Sequence, residues 1–172
     1  TVPGLEGLET VKSDHLDKLE AFYTSGGASH TIQTMRERGV QNCSYKTLRY
    51  PGHRDIVKFL LRDCKLEYDV MSQIFNSCGV PKNDIVIMIA QVTKDNAVWR
   101  EEKLIKSDAN FTAMQKATAF PISAVAKLMA EGELEGDKAQ HRDYYTQHCK
   151  SLKYSDIPYD KFKENLDKLL DF

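Results

Sequence analysis

The stretch Asp84-Ile85-Val86-Ile87-Met88-Ile89-Ala90-Gln91-Val92 is almost continuously apolar. A run of that kind predicts a central β-strand covered on both faces. Lys94-Asp95-Asn96 then supplies a turn, and residues 97–106 have the half-wet pattern of a hairpin partner. A hairpin makes the sheet partly antiparallel, which argues for an α+β fold rather than a doubly wound parallel sheet. Trp99, inside the second strand, reads as a core or interface residue.

Upstream of this pair, residues 9–13 have short strand character, and Leu19-Glu20-Ala21-Phe22-Tyr23-Thr24 alternates as a second strand. Ser25-Gly26-Gly27 stops it, and Ser29 is placed to cap a helix carrying Ile32 and Met35 and ending at Gly39. Residues 43–50 read as a third strand running into Pro51-Gly52. From His53 or Arg54 onward, Ile56, Val57, Leu60, Leu61 and Cys64 have helical spacing. A short helix over 70–77 stops at Gly79-Val80-Pro81. Downstream, residues 111–131 are helical in period, and Pro121 predicts a kink or break near Phe120. Residues 131–153 read as a polar, solvent-facing connection. Pro158 opens an amphipathic last helix with Phe162, Leu166, Leu169 and Leu170 on one stripe. The expectation is one α+β domain over 1–172, its mixed, partly antiparallel sheet covered by helices.

Composition narrows the class of partner. With 172 residues, 41% hydrophobic and 28% charged, the chain has the make-up of an ordinary soluble domain. A formal net charge of -1 gives no electrostatic case for nucleic acid or an anionic membrane surface. No apolar run approaches the roughly 20 residues of a membrane span. Because the chain opens at Thr1-Val2-Pro3, it reads as a piece of something longer. Cys43, Cys64, Cys78 and Cys149 are far apart and form no metal-ligand pattern. They read as reduced, mostly core-facing thiols of a cytoplasmic protein. His15, His30, His141 and His148 sit in polar contexts and read as solvated.

No Gly-x-Gly-x-x-Gly, Walker-type loop or His-Glu-x-x-His occurs, so the usual dinucleotide, nucleotide and zinc fingerprints are absent. The richest segment is Lys46-Thr47-Leu48-Arg49-Tyr50-Pro51-Gly52-His53. A strand-to-turn-to-helix junction points backbone N–H groups outward, where the helix dipole favours an anion. Arg49 has the fork to hold a carboxylate, Tyr50 and Thr47 the hydroxyls to join it, and His53 a group that titrates near neutral pH. The plain structural reading, equally weighted, pairs Arg49 with a neighbouring acid and makes His53 a helix cap. Thr24 and Ser25, where the second strand opens into a glycine loop, form a second candidate wall; an ordinary tight turn explains them as well. A third candidate, Lys116-Ala117-Thr118-Ala119-Phe120-Pro121, reads better as a packed kink.

The run Tyr45 to His53 resembles the Thr-Leu-Arg-Tyr signature of the saccharopine dehydrogenase family and its carboxynorspermidine dehydrogenase relatives. Other features agree in order: Gly7-Leu8-Glu9-Thr10, then Leu19 to Thr24 with its glycine loop, then Thr118 to Pro121 leading to Ala126-Lys127-Leu128-Met129-Ala130-Glu131-Gly132. The resemblance implies the substrate and dimerisation domain of a two-domain enzyme of amino-acid or lysine metabolism. It further implies a homodimer whose N-terminal Rossmann domain, which carries NAD(P), is missing from this chain, with 155–172 packing on that domain. The implied reaction is hydride transfer at the C–N bond of a secondary amine or imine joining two amino-acid-like halves. On this resemblance Arg49, Tyr50, Thr47 and His53 face the carboxylate substrate, with Thr24 and Ser25 opposite. No catalytic acid or base and no metal ligand is assigned, and the isolated chain is expected to be inactive. Two other readings stay open: a non-enzymatic ligand-binding or dimerisation domain of the same fold, and an enzyme acting on a carboxylated polyamine precursor or on lysine.

Overall fold

A computed structural model describes residues 2–24, 31–79, 81, 83–134 and 156–171. The chain is α+β. Where length suggests one domain, contacts group the residues into two compact units, Thr1–Val80 with Ile87–Leu104 and Pro81–Val86 with Ile105–Phe172. Each has its own buried cluster, which is what lets each hold together locally.

In the first unit, β1 (Glu9–Val11), β2 (Leu19–Phe22) and β3 (Thr47–Arg49) form an antiparallel sheet in the order β1-β2-β3. β2 lies in the centre and is buried along its whole length, including Leu19, Ala21 and Phe22. The third strand is shorter than its residue types suggest. Pairing stops where β2 ends, with Phe22 opposite Thr47, so residues 43–46 have no strand to join. Helix α1 (Thr31–Glu37) closes at Gly39, whose φ of +77° lets the Val40 N–H reach back to the Met35 carbonyl. The Ser29 cap, like the Ser25-Gly26-Gly27 loop, lies outside the described residues.

Gly52, with φ +93°, turns the chain into α2 (His53–Lys58), which continues as a π-helical turn over Phe59–Asp63. Helix α3 (Tyr68–Ser77) buries Met71. Cys43, Cys64 and Cys78 are exposed rather than core-facing. Cys64 and Cys78 end their helices and Cys43 lies in a loop, so none occupies an inward position. Cys149 lies outside the described residues, as do His30, His141 and His148; His15 is exposed.

Strands β4 (Ile85–Lys94) and β5 (Ala97–Lys106) pair with each other in a separate two-stranded sheet. Asp95, at φ +53°, makes the tight turn between them. The expected central strand is therefore one half of a ribbon. Met88 (47%), Val92 (58%) and Trp99 (53%) are exposed, so continuous apolar character here does not mean cover on two faces. Within the first unit, Glu102 of β5 accepts the Ser13 hydroxyl and the Asp14 N–H and pairs with Arg100 at 3.0 Å.

The second unit is built on α4 (Ala113–Ala130), which runs through Pro121 without a break. Its start is tied down heavily. Thr112 and Gln115 form a reciprocal capping box, and the Asp84 carboxylate accepts the N–H groups of Ala113 (2.8 Å) and Met114 (3.0 Å). Helix α5 (Tyr159–Leu170) lies against α4, and Lys127 donates to the buried Asn165 at 3.0 Å. Ile105, Ala113, Ala124 and Leu128 are buried there. The polar connection expected over 131–153 falls mostly outside the described residues. Among those described, no helix is long and apolar enough to cross a membrane.

Candidate functional site

The pairing of β2 with β3 decides which side chains meet. Glu20 lies opposite Arg49 and Phe22 opposite Thr47, so these four stand on one face of the sheet, with Ala21 and Leu48 on the other. The same register brings the hydroxyls of Thr24 and Thr47 to 2.6 Å, half-buried at the end of the strands. Two segments picked out separately in the sequence thus become one small cluster. Ser25 lies outside the described residues.

His53 joins this cluster from the first residue of α2. Its ring stacks on Phe22, with centroids 6.4 Å apart and planes 16° from parallel. Partial shielding from water pushes its pKa below the usual imidazole value, and the nearby Arg49 charge adds to that. Glu20 acts in the opposite sense. The balance favours the neutral ring, which carries one donor and one acceptor nitrogen.

The N–H groups at the start of α2 are already engaged. The Glu20 carboxylate, on a residue only 7% exposed, accepts the Gly52 N–H at 2.9 Å and the Arg54 N–H at 2.6 Å. An anion does sit at this helix start, but it is supplied by the chain itself. Reasoning from sequence passed over Glu20. The signal was available: one acid within the otherwise apolar Leu19-Glu20-Ala21-Phe22.

Arg49 and Tyr50 extend outward, and Tyr50 is 62% exposed. The Arg49 guanidinium donates to the Leu48 carbonyl at 2.9 Å, and among the described residues no carboxylate is paired with it. Its neighbours are differently placed. Lys46 is bound to the Gly7 carbonyl (2.7 Å) and Glu9 (3.1 Å) and lies over the Tyr23 ring. Arg54 is held by the Leu5 carbonyl and by Glu6 and Asp55. Glu6 also takes Lys58 and Arg62, and those hydrogen bonds, Arg62 first, hold its carboxyl below the ordinary range. Within the motif, Arg49 is the cation whose charge has no acid partner among the described residues.

The third candidate segment belongs to the second unit. Thr118 donates to the Met114 carbonyl one turn back, and Phe120 meets Phe111 edge-on at 5.5 Å, so both are engaged in local structure. A polar cleft between α4 and α5 is lined by Lys127, Glu131, Glu133, Lys161, Glu164 and Lys168. Its charges pair off, as in Lys168 with Glu164 at 2.6 Å, leaving no surplus to attract a ligand. Gly4 and Gly7 form no phosphate cradle either, because the space beside Gly7 is filled by the Tyr23 ring. Among the described residues no three His, Cys, Asp or Glu side chains are grouped to hold a metal. The chain matches no protein-family model and no solved structure.

Proposed function

We propose that this chain is the substrate-side domain of a cytoplasmic, nicotinamide-dependent oxidoreductase resembling saccharopine dehydrogenase, acting on a secondary amine or imine with amino-acid-like ends. The observation that carries the reading is Arg49: an exposed guanidinium without a carboxylate partner among the described residues, beside Tyr50 and a His53 whose partial shielding favours the neutral ring. A substrate carboxylate would complete that charge, receiving a two-pronged hydrogen bond from Arg49. Tyr50 would donate its phenol to the same group. Neutral His53 can give one proton and accept one at its two ring nitrogens, which suits an amine that changes protonation as it is oxidised. The Thr24 and Thr47 hydroxyls bound the cluster on the strand side. The NAD(P) of such an enzyme would take or give the hydride. Residues for binding it belong to a Rossmann domain, and this chain's part is to seat the substrate and keep its carboxylate fixed. A second copy of the chain is proposed as partner, on the exposed ribbon face of Met88, Ala90 and Val92.

The test uses the intact gene product and nicotinamide absorbance. One substrate set is saccharopine or its semialdehyde and glutamate precursors; the other is aspartate semialdehyde with a diamine. Turnover of either is expected. Arg49→Ala should raise KM by roughly ten- to a hundredfold and change kcat less, as for loss of a charged hydrogen bond made in the ground state and transition state alike. Unchanged KM in that variant removes Arg49 from the site. Absence of turnover with both sets, in folded protein that binds the cofactor, leaves the ligand-binding reading of the same fold.

A further inference from the structure

We infer that Glu20 is the positioning residue of this site: its carboxylate, clamped on the Gly52 and Arg54 amides, sets the Tyr50–His53 turn and so fixes where Arg49 and His53 stand. The inference deepens the substrate-side reading and rests on it only for the kinetic part of its test.

Three observations place Glu20 in this role. It projects from the central strand, which is buried along its length and paired on both sides. It reaches across to two amides on either side of His53, at 2.9 and 2.6 Å, so the turn cannot pivot without breaking a bond to a buried carboxylate. Its backbone also lies opposite Arg49 in the β2–β3 register, so the residue that clamps the turn carrying His53 is the one paired with Arg49 across the sheet. A buried carboxylate holding one N–H on each oxygen is costly to strip of those partners, which gives the clamp its stiffness. The Gly52 conformation is part of the device: φ +93° turns the amides of residues 52 and 54 toward the sheet, a geometry that favours glycine.

The charge of Glu20 reaches the imidazole as well. The charged groups around His53 are Glu20 from β2 and Arg49 from β3. On its own helix, Arg54 is engaged with Leu5, Glu6 and Asp55. Removing the Glu20 charge leaves shielding and Arg49 unopposed, and both favour the neutral ring.

Glu20→Gln in the intact protein is the test, because it keeps the size and one acceptor oxygen. The His53 ring should titrate at lower pH than in wild type by NMR, without any ligand. In the enzyme assay, KM should rise about tenfold with kcat changed much less, and Glu20→Asp, which keeps the charge but is one methylene shorter, should recover the titration but not the KM. An unmoved His53 titration together with wild-type KM overturns the inference. Should Glu20→Gln fail to fold, amide exchange in wild type decides: the Gly52 and Arg54 N–H groups should be protected, and exchange at open-loop rates overturns it. The two readings fail separately. If neither substrate set is turned over, the enzyme proposal falls while the titration and exchange still decide the role of Glu20. If Arg49→Ala raises KM and Glu20→Gln does nothing, the site stands and the clamp does not.

Discussion

Gly7 is a single residue whose replacement the structure resists in two ways. At φ +67° it already occupies backbone space unfavourable to side chains, and a Cβ there would lie 2.4 Å from Tyr23 Cε2. The Tyr23 ring cannot readily withdraw, since Lys46 lies over it at 4.9 Å and is tied to the Gly7 carbonyl and Glu9. Its backbone is fixed on both sides, the N–H to the Glu6 carbonyl (3.0 Å) and the carbonyl to the Leu5 N–H (2.8 Å). Gly39 serves as control: its φ is similar, +77°, but nothing lies within 4 Å of a Cβ. Gly39→Ala should cost about 1 kcal/mol, the conformational part alone, and Gly7→Ala about 2–3 kcal/mol once the ring clash is added. Urea midpoints at constant slope measure both. Equal losses at the two positions would mean that Tyr23 moves aside freely.

At the scale of elements, the start of α4 carries a pH dependence that can be worked out in sign. Asp108 accepts from Lys116 and from the N–H groups of Phe111 and Asn110, and is held down to about 2. Asp84 is lowered as well, chiefly by the Ala113 N–H, then by Met114. A carboxyl whose folded value lies below its unfolded one, about 4, stabilises the fold fully above that pH. The contribution is lost as pH falls toward 2. Acid unfolding of wild type should steepen in that window, and Asp108→Asn should flatten it; identical pH slopes in the two proteins would refute the assignment. What could be read from sequence divides along the same line. The extent of β5 was legible to the residue, 97–106, because a two-residue turn fixes where pairing resumes. The 43–50 strand was over-read, since residue type cannot say where the partner strand ends. Pro121 predicted a kink or a break near Phe120, and α4 does not break there: the loss of one N–H is small against a helix of 18 residues capped from both Thr112 and Asp84. Within the site, Thr24, Thr47 and His53 were legible as candidates, but the two acids that organise helix starts, Glu20 and Asp84, were not. Each acts across about thirty residues of sequence, a distance that local periodicity does not see.

On the scale of the whole molecule, the question is what covers the β4–β5 ribbon. A two-stranded sheet is marginal by itself, and here both outer edges lack a further strand among the described residues. Met88, Ala90 and Val92 alternate onto one face of β4 and are exposed; on β5, Val98 (61%) and Trp99 (53%) are exposed on opposite faces. Single exposed apolar residues are ordinary, but three in succession on one strand face make a surface suited to a partner. A second copy satisfies the patch most economically: ribbon on ribbon around a two-fold axis sets like against like, and an apolar face is complementary to itself. Wild-type protein should therefore sediment as a dimer at micromolar concentration. Val92→Lys should shift it to monomer, with circular dichroism preserved, because a Lys on such a face loses its water without gaining an acid. The exposed Ile122, on α4 of the second unit, gives the control: Ile122→Lys should leave the dimer intact. Monomeric wild type at high concentration would exclude the second copy as occupant and assign the ribbon to a different domain or partner. A dimer insensitive to Val92→Lys would place the interface elsewhere.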